Sequence, residues 1–252
     1  MHVGKDSLFY LQKGFDVVAV EANSVLVEQS LSTLQKYVDT GQLKIHNIAV
    51  AEHEGEIEFF VNDQHDDWST TSPAFAEQRA LAGTTSTRIK VPCLPLGNLL
   101  KTHGIPYYLK VDIEDSDDLC LAALQEFNEK PEYVSVEFYE AGHISALEKL
   151  GYHEFKIVNQ AAHYRLRCPQ PSREGCYVDY QFDGLCSGLF GKELSGRWMS
   201  ASEAHRAYGR LTKEQRFFGG RLREGLIQRA YQKIKGQPVG WYDLHARQLA
   251  TP

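Results

Sequence analysis

One stretch decides the fold of this chain: Phe15-Asp16-Val17-Val18-Ala19-Val20-Glu21-Ala22-Asn23. Apart from one acid, the residues from Val17 to Ala22 are apolar, a pattern typical of a strand buried on both faces in a parallel sheet between helices. The acid, Glu21, falls at the carboxyl end of the predicted strand. Ligands of open α/β sheets bind at this end, where an acid can accept hydrogen bonds from two ribose hydroxyls. A solvated acid at a strand end explains this stretch equally well.

The residues upstream of this stretch predict a short helix that begins near Ser7 and is closed by Gly14. Gly4, just before the helix, would let a ligand approach the backbone at the helix N-terminus. A full dinucleotide-binding fingerprint needs two or three glycines after a strand, and only Gly4 is present. The strand that should precede Gly4 would lie before Met1. We therefore expect the first strand of the sheet to be truncated here and the native gene product to continue upstream.

Composition and charge narrow the class of protein. A chain of 252 residues can form one large α/β domain, or one domain with an appendage, and its net charge of −6 argues against nucleic-acid binding, which needs a basic face. Neither a membrane-spanning run nor a signal segment is present, so we expect a cytoplasmic protein without membrane contact. The five cysteines are irregularly spaced and form no Cys-x-x-Cys pair, which favours reduced thiols over disulfides or a zinc site.

Downstream of Asn23, predicted strands and helices alternate over most of the chain, which implies a single doubly wound α/β sheet. The predicted strands 43–50 and 56–61 are expected to form a hairpin-like excursion from it. Residues 163–167 are expected to pair antiparallel with a strand at 155–158.

The character of the sequence changes at Cys168, where turn residues become frequent and the strand pattern fades. The sequence therefore predicts one domain over residues 1–167, followed by a mainly helical and loop extension over residues 168–252 that packs on or caps it. Near the end of the extension, Trp241 and His245 combine an aromatic surface with a base. This tail either closes over an active site or packs on the sheet without a catalytic part.

A second group of acids follows the predicted strand Tyr107–Val111. Asp112 stands at the carboxyl end of this strand, so it should face the same crevice as Glu21. The acids that follow it closely are Glu114, Asp115, Asp117 and Asp118. Such a group could hold a divalent cation through its oxygens. The favoured interpretation is that Asp112 or Glu114 faces the crevice and that the later acids stabilise the N-terminus of the next helix.

Two residues between these strands, Asn47 and Trp68, have two interpretations each. Asn47 lies within a predicted strand, where its amide is either satisfied by the backbone or reaches the adenine ring of a nucleotide. Trp68 stands among hydroxyl residues in a turn-rich loop, which is either a lid or pocket wall, or a plug at the edge of the core.

Five motifs follow one another in the chain: Gly4-Lys5-Asp6-Ser7, Val18-Ala19-Val20-Glu21-Ala22-Asn23, Asn47-Ile48-Ala49-Val50 followed by Glu54-Gly55-Glu56-Ile57-Glu58-Phe59, Leu109-Lys110-Val111-Asp112-Ile113-Glu114, and Val134-Ser135-Val136-Glu137. Their order and spacing resemble the FkbM family of S-adenosylmethionine-dependent methyltransferases over roughly the first 160 residues, and this order is more specific than any one motif. The resemblance implies a seven-stranded, Rossmann-like class I methyltransferase sheet. It also implies methyl transfer from S-adenosylmethionine, usually to a hydroxyl of a small molecule or sugar.

The resemblance also assigns roles to individual residues. Gly4 and Asp6 match the loop around the methionine part of the cofactor, and Glu21 matches the ribose-binding acid. Asn23 matches the loop after that acid. The remaining matches are Asn47 to Ala49, at the strand end near adenine, and Asp112 and Glu114, which face cofactor and substrate.

A hydroxyl acceptor must lose a proton, so a carboxylate or imidazole within hydrogen-bond reach would serve as the base. Asp112 is the first choice, with Glu114 and His143 behind it and His245 as a remote option. One departure from the family pattern is Asp115, which stands where a glycine normally follows the Asp-Ile-Glu segment.

Two other classes of protein stay open. The first is a non-catalytic binding module built on a degenerate methyltransferase fold. The second is an NAD(P)-dependent oxidoreductase, which would need a fuller glycine fingerprint and a Tyr-x-x-x-Lys pair at its site. The spacing occurs as Tyr152 with Lys156 and as Tyr231 with Lys235, in a late strand and in the tail.

Overall fold

The computed structural model describes residues 1–218, 233–234 and 240–248, so Tyr231 and Lys235 lie outside the described residues. The helices are α1 (Lys5–Gln12), α2 (Ser24–Asp39), α3 (Pro73–Leu81), α4 (Leu96–His103), α5 (Asp117–Leu124), α6 (Gly142–Lys149) and α7 (Ala201–Phe218). The strands are β1 (Val17–Val20), β2 (Leu43–His46), β3 (Ala49–Val50), β4 (Gly55–Asn62), β5 (Ser86–Leu94), β6 (Tyr108–Val111), β7 (Tyr133–Glu137), β8 (Glu154–Asn159) and β9 (Tyr242–Arg247). None of the described helices combines the length and hydropathy of a membrane-spanning segment.

The described strands form three sheets, with the orders β1-β2, β3-β5-β4 and β6-β7-β9-β8. The mixed α/β class is confirmed, whereas the single doubly wound, Rossmann-like sheet is not. The chain divides into two compact units. The first is Met1–Pro106, Val111–Lys130 and Gln170–Val178, and the second is Tyr107–Lys110, Pro131–Pro169 and Asp179–Pro252. The domain boundary between residues 167 and 168 stays a prediction.

In the first unit, β1 and β2 pair in parallel, from Val17 opposite Leu43 to Val20 opposite His46. Ala19 of β1 packs in a core cluster with residues of both flanking helices and of β2, namely Leu11, Leu34 and Leu43. Successive side chains of a strand point to opposite faces, so Val18 points away from this cluster and is 43% exposed. The prediction that the whole stretch is buried on both faces is therefore wrong at Val18.

The other sheet of the first unit is built on β5. Strand β4 pairs antiparallel with β5, from Gly55 opposite Cys93 to Asn62 opposite Ser86. The short strand β3 runs parallel to β5. The predicted hairpin between 43–50 and 56–61 is therefore wrong, because 43–50 breaks after β2 and both β3 and β4 take β5 as their partner.

Residues 170–178 also belong to the first unit, where they pack against the end of α1. The side chain of Lys13 is fully buried there, and its ammonium donates to the Ser172 hydroxyl and the Cys176 carbonyl, both at 3.1 Å. Gly175 has φ +57, and a Cβ on it would lie 2.5 Å from the Lys13 carbonyl oxygen. This close approach requires a glycine.

In the second unit, β9 lies between β7 and β8 and runs antiparallel to both. The predicted partner of β8 at 163–167 is wrong, because residues Gln160–Arg165 form 3₁₀ turns. The Asn159 side chain begins these turns by accepting a hydrogen bond from the Ala161 amide at 3.0 Å. The C-terminal extension thus contributes a central strand as well as helix and loop.

One face of this second sheet is polar and nevertheless buried. Ser135, His245 and Lys156 lie side by side on β7, β9 and β8, and they are 0%, 2% and 5% exposed. The Tyr108 and Ser135 hydroxyls are 2.6 Å apart. Among the described residues, Nε2 of His245 has no hydrogen-bond partner. Burial, followed by the positive charges of Lys110 and of nearby His163 and Lys156, lowers the pKa of His245 to about 3.

This pKa predicts a pH dependence of stability. The unfolded chain binds a proton on His245 below its ordinary pKa of 6.5, whereas the folded chain excludes that proton until about pH 3. The contribution of His245 to the free energy of unfolding is therefore complete above pH 6.5 and is lost towards pH 3, with a limiting slope of about 1.4 kcal/mol per pH unit. In denaturant unfolding at several pH values, His245→Gln should have a shallower slope than the wild type in this range. Equal slopes would contradict the prediction.

Candidate functional site

Glu21, at the carboxyl end of β1, is held by backbone groups of its own unit. Its Oε2 accepts from the backbone N–H of His2 at 2.7 Å and lies 3.3 Å from the N-terminal ammonium of Met1. Its Oε1 accepts from the backbone N–H of Asn23 at 2.9 Å. The side chain is 11% exposed. The predicted ribose-binding acid therefore has a fixed carboxylate with both oxygens engaged.

The two asparagines predicted to bind cofactor support the backbone around Glu21. Asn47 is exposed and donates from Nδ2 to the carbonyls of Glu21 at 2.8 Å and Ala22 at 3.2 Å. Its amide is thus satisfied by the backbone, the first of the two interpretations given above. Asn23 caps α2 by accepting from the Val25 amide at 3.0 Å. Ala49 is buried in the core beside β5.

Gly4 serves the packing of α1 on α2. It adopts a left-handed conformation, with φ +79, immediately before α1. A Cβ at this position would lie 2.7 Å from Cδ1 of Leu34 and 3.1 Å from Cβ of Ser30. Asp6 lies in the first turn of α1 and is half-buried. Helix packing thus requires a glycine at position 4, a requirement that the motif alone does not indicate.

The segment after β6 has an unusual backbone. Glu114 has φ +46 and Asp115 has φ +68, so two consecutive non-glycine residues are left-handed. Thr70 donates its hydroxyl proton to the Glu114 carbonyl at 2.7 Å, and Ser72 donates to Oδ2 of Asp115 at 2.8 Å. Asp112, just before them, is exposed. Asp115 therefore keeps the backbone conformation that glycine favours at the place where the family pattern expects glycine.

Two of the three later acids, Asp117 and Asp118, lie in the first turn of the next helix, where they were predicted to stabilise its N-terminus, whereas Asp115 lies before it. Helix α5 begins at Asp117, with Asp118 also in its first turn. Asp117 is fully buried, and its Oδ1 accepts from the Ile113 amide at 3.0 Å. Burial, and to a lesser extent the charge of Asp117, raises the pKa of the Cys120 thiol. Cys120 is accordingly not a reactive thiolate.

The loop that carries Trp68 connects the two acidic segments. Asp66 lies 3.0 Å from Nε2 of His2, whose backbone N–H binds Glu21. Four residues after Asp66 comes Thr70, which binds the Glu114 backbone. The sequence alone does not predict these contacts, although its hydroxyl run Ser69-Thr70-Thr71-Ser72 is a set of potential donors.

His143, a further candidate base, lies in the second unit. Its side chain is buried, with Nε2 3.8 Å from Oε1 of Glu140, and its ring contacts the Tyr139 ring edge to face at 4.8 Å between centroids. Its role as a base stays a prediction, as do those of Asp112 and Glu114 in the first unit.

A sequence model of a protein family, described as the methyltransferase FkbM domain, matches residues 2–155. No curated protein and no solved structure gives a significant match to the chain. The matched range covers more than half of the chain and includes every predicted site residue except the remote option His245.

The packing of Gly4 predicts a large cost for a side chain. Gly4→Ala combines a left-handed alanine with an overpacked contact to Leu34, and we expect it to lower the free energy of unfolding by roughly 2–4 kcal/mol. Gly41→Ala is the matched control, because Gly41 has φ +77 and a Cβ on it would meet no atom within 4 Å. It should cost only about 1 kcal/mol. Chemical denaturation compares the two, and equal costs would show that packing contributes nothing.

The left-handed backbone at Asp115 predicts that a glycine variant is more stable there than an alanine variant, the opposite of the order in a helix. Asp115→Gly and Asp115→Ala both remove the hydrogen bond from Ser72, but only glycine adopts this φ freely. Asp115→Gly should therefore be more stable than Asp115→Ala by about 1 kcal/mol in thermal or chemical unfolding. At Asp118, in the first turn of α5, alanine should be at least as stable as glycine. The same order at both positions would contradict the described backbone.

Proposed function

Because the chain belongs to the FkbM methyltransferase family, we propose that it transfers a methyl group from S-adenosylmethionine to a hydroxyl oxygen of a small molecule or sugar. The family match supports methyl transfer in general. The observation that carries the cofactor proposal is the fixed carboxylate of Glu21 at the carboxyl end of β1, the position at which an acid binds ribose hydroxyls.

The residues of the first unit fit such a cofactor. A carboxylate offers about four lone-pair positions, so the contacts of Glu21 with Met1, His2 and Asn23 leave capacity for a ribose hydroxyl. Asn47 holds the backbone of Glu21 in register beside the end of β2, where the adenine would lie. Gly4 and Asp6, at the start of α1, would face the methionine part.

Bound S-adenosylmethionine would supply a methyl group activated by its sulfonium. The chain has to align an acceptor oxygen with that group and remove its proton. Asp112 is exposed and Glu114 is half-buried on a backbone held by Thr70, so neither carboxylate is sealed in the core. We assign the base to Asp112 first, then to Glu114 and His143.

A non-catalytic binding module is the second candidate function, favoured by the donors already bound to Glu21. The left-handed Asp115 argues for an intact site, because the segment keeps its glycine-like backbone despite the substitution. Of the two Tyr-Lys spacings of the oxidoreductase alternative, the one within the described residues is engaged elsewhere. The Tyr152 hydroxyl donates to the Pro131 carbonyl at 2.7 Å, and the Lys156 ammonium donates to the Leu194 carbonyl at 2.7 Å.

Calorimetric titration of S-adenosylmethionine and S-adenosylhomocysteine into the full chain tests the cofactor. Glu21→Gln should weaken both affinities about tenfold to a hundredfold, because a hydrogen bond to a charged group contributes about 1.5–3 kcal/mol. Glu28→Gln is the control, since Glu28 is an exposed acid of α2, and it should bind like the wild type. Circular dichroism checks that both variants fold.

Two results would count against the proposal. Unchanged affinity in Glu21→Gln would refute the ribose assignment. A folded wild type that binds neither compound would favour the non-catalytic module.

A further inference from the structure

Arg79, in the last turn of α3, is stacked on two aromatic rings. Its Cζ lies 4.2 Å from the centroid of the Trp68 ring and 4.3 Å from that of the Phe75 ring. Phe75 and Arg79 are four residues apart, so they share one face of the helix. The Nε atom of Arg79 is buried and has no hydrogen-bond partner among the described residues. No carboxylate in the described part of the chain forms an ion pair with this guanidinium.

Two acids of the loop before α3 are used elsewhere. Asp66, in the same turn as Trp68, binds His2. Asp63 accepts from the hydroxyls of Thr85 at 2.7 Å and Thr87 at 2.9 Å. Arg79 is therefore not the counterion of a carboxylate of the described chain. A guanidinium held against aromatic rings keeps its orientation and still presents in-plane donors, which suit the paired oxygens of carboxylate and phosphate.

The stacked arginine contacts the loop that joins the two acidic segments of the site, because its partner Trp68 lies in that loop. Trp68 lies between Asp66, which reaches Glu21 through His2, and Thr70, which binds the Glu114 backbone. Ser72, the residue just before α3, donates a hydrogen bond to Asp115, and its hydroxyl accepts one from the Phe75 amide at 3.2 Å. The helix that carries Arg79 is thus fixed to the segment that carries the candidate bases.

We propose that Arg79 binds an anionic group of the methyl acceptor, which is therefore a hydroxylated carboxylate or phosphate. This inference rests on the proposed function. The acids Glu21, Asp112 and Glu114 suit a cationic sulfonium but repel an anionic acceptor, and a guanidinium without a counterion in the described chain offsets that repulsion. Arg79 would then determine specificity for the acceptor without taking part in methyl transfer.

The test follows the Nε–H resonance of Arg79 in arginine-labelled full-length protein, assigned by its loss in Arg79→Lys. Inorganic phosphate and, separately, acetate are titrated at constant ionic strength. Arg88 is the internal control, because it is exposed on β5 and lies 3.3 Å from Glu58. We expect a saturable change in the chemical shift of the Arg79 resonance and no change at Arg88. The anion that binds more tightly identifies the group that Arg79 prefers, phosphate or carboxylate. Arg79→Gln should weaken binding of that anion at least about tenfold by calorimetry, since a hydrogen bond to a charged group is lost.

Several results would overturn the proposal. An unmoved Arg79 resonance with both anions would refute the site, and parallel shifts at Arg79 and Arg88 would show non-specific ion binding. A loss of S-adenosylhomocysteine affinity in Arg79→Gln as large as the loss of anion affinity would show that Arg79 binds the cofactor and not the acceptor. Saturable anion binding by a wild type that binds no S-adenosylhomocysteine would support the anion site and refute the proposed function.

Discussion

The site depends first on the way in which the ends of β1 and β2 are tied together. Their parallel pairing continues past the strands, because the Glu21 amide donates to the His46 carbonyl at 3.1 Å and the Asn47 side chain donates to the carbonyls of Glu21 and Ala22. Glu21 therefore cannot turn away from the strand end without breaking several hydrogen bonds. The same acid fixes Asn23, which caps α2. One side chain thus couples the sheet, the next helix and the candidate cofactor site.

Local patterns in the sequence predicted most elements of the fold. The helix predicted to begin near Ser7 and to be closed by Gly14 is observed as α1, Lys5–Gln12, because a helix start and a closing glycine are local signals. Strand β9 was not predicted, although its residues alternate between polar and apolar. Its partners β7 and β8 are distant in sequence, and its polar face is buried by tertiary contacts that no local pattern reveals.

The positions of the acids in the site could be predicted from the sequence, whereas the hydrogen bonds around them could not. Glu21 and Asp112 follow apolar strands, and that placement is visible in the sequence. The contacts of Thr70 with Glu114 and of Ser72 with Asp115 join residues 44 and 43 positions apart, so only the folded chain reveals them. Asn47 shows the limit of reasoning from a residue type, because one amide suits both a ligand and the backbone, and the choice depends on the geometry of two strand ends.

The position of β9 also has a consequence for biosynthesis. The ribosome delivers β7 and β8 well before β9, yet β9 lies between them in the finished sheet. Until Tyr242–Arg247 emerges, the two earlier strands expose unpaired edges, which are templates for pairing with other chains. A premature stop before Tyr242 would therefore leave an incomplete sheet prone to aggregation, as well as shortening the tail.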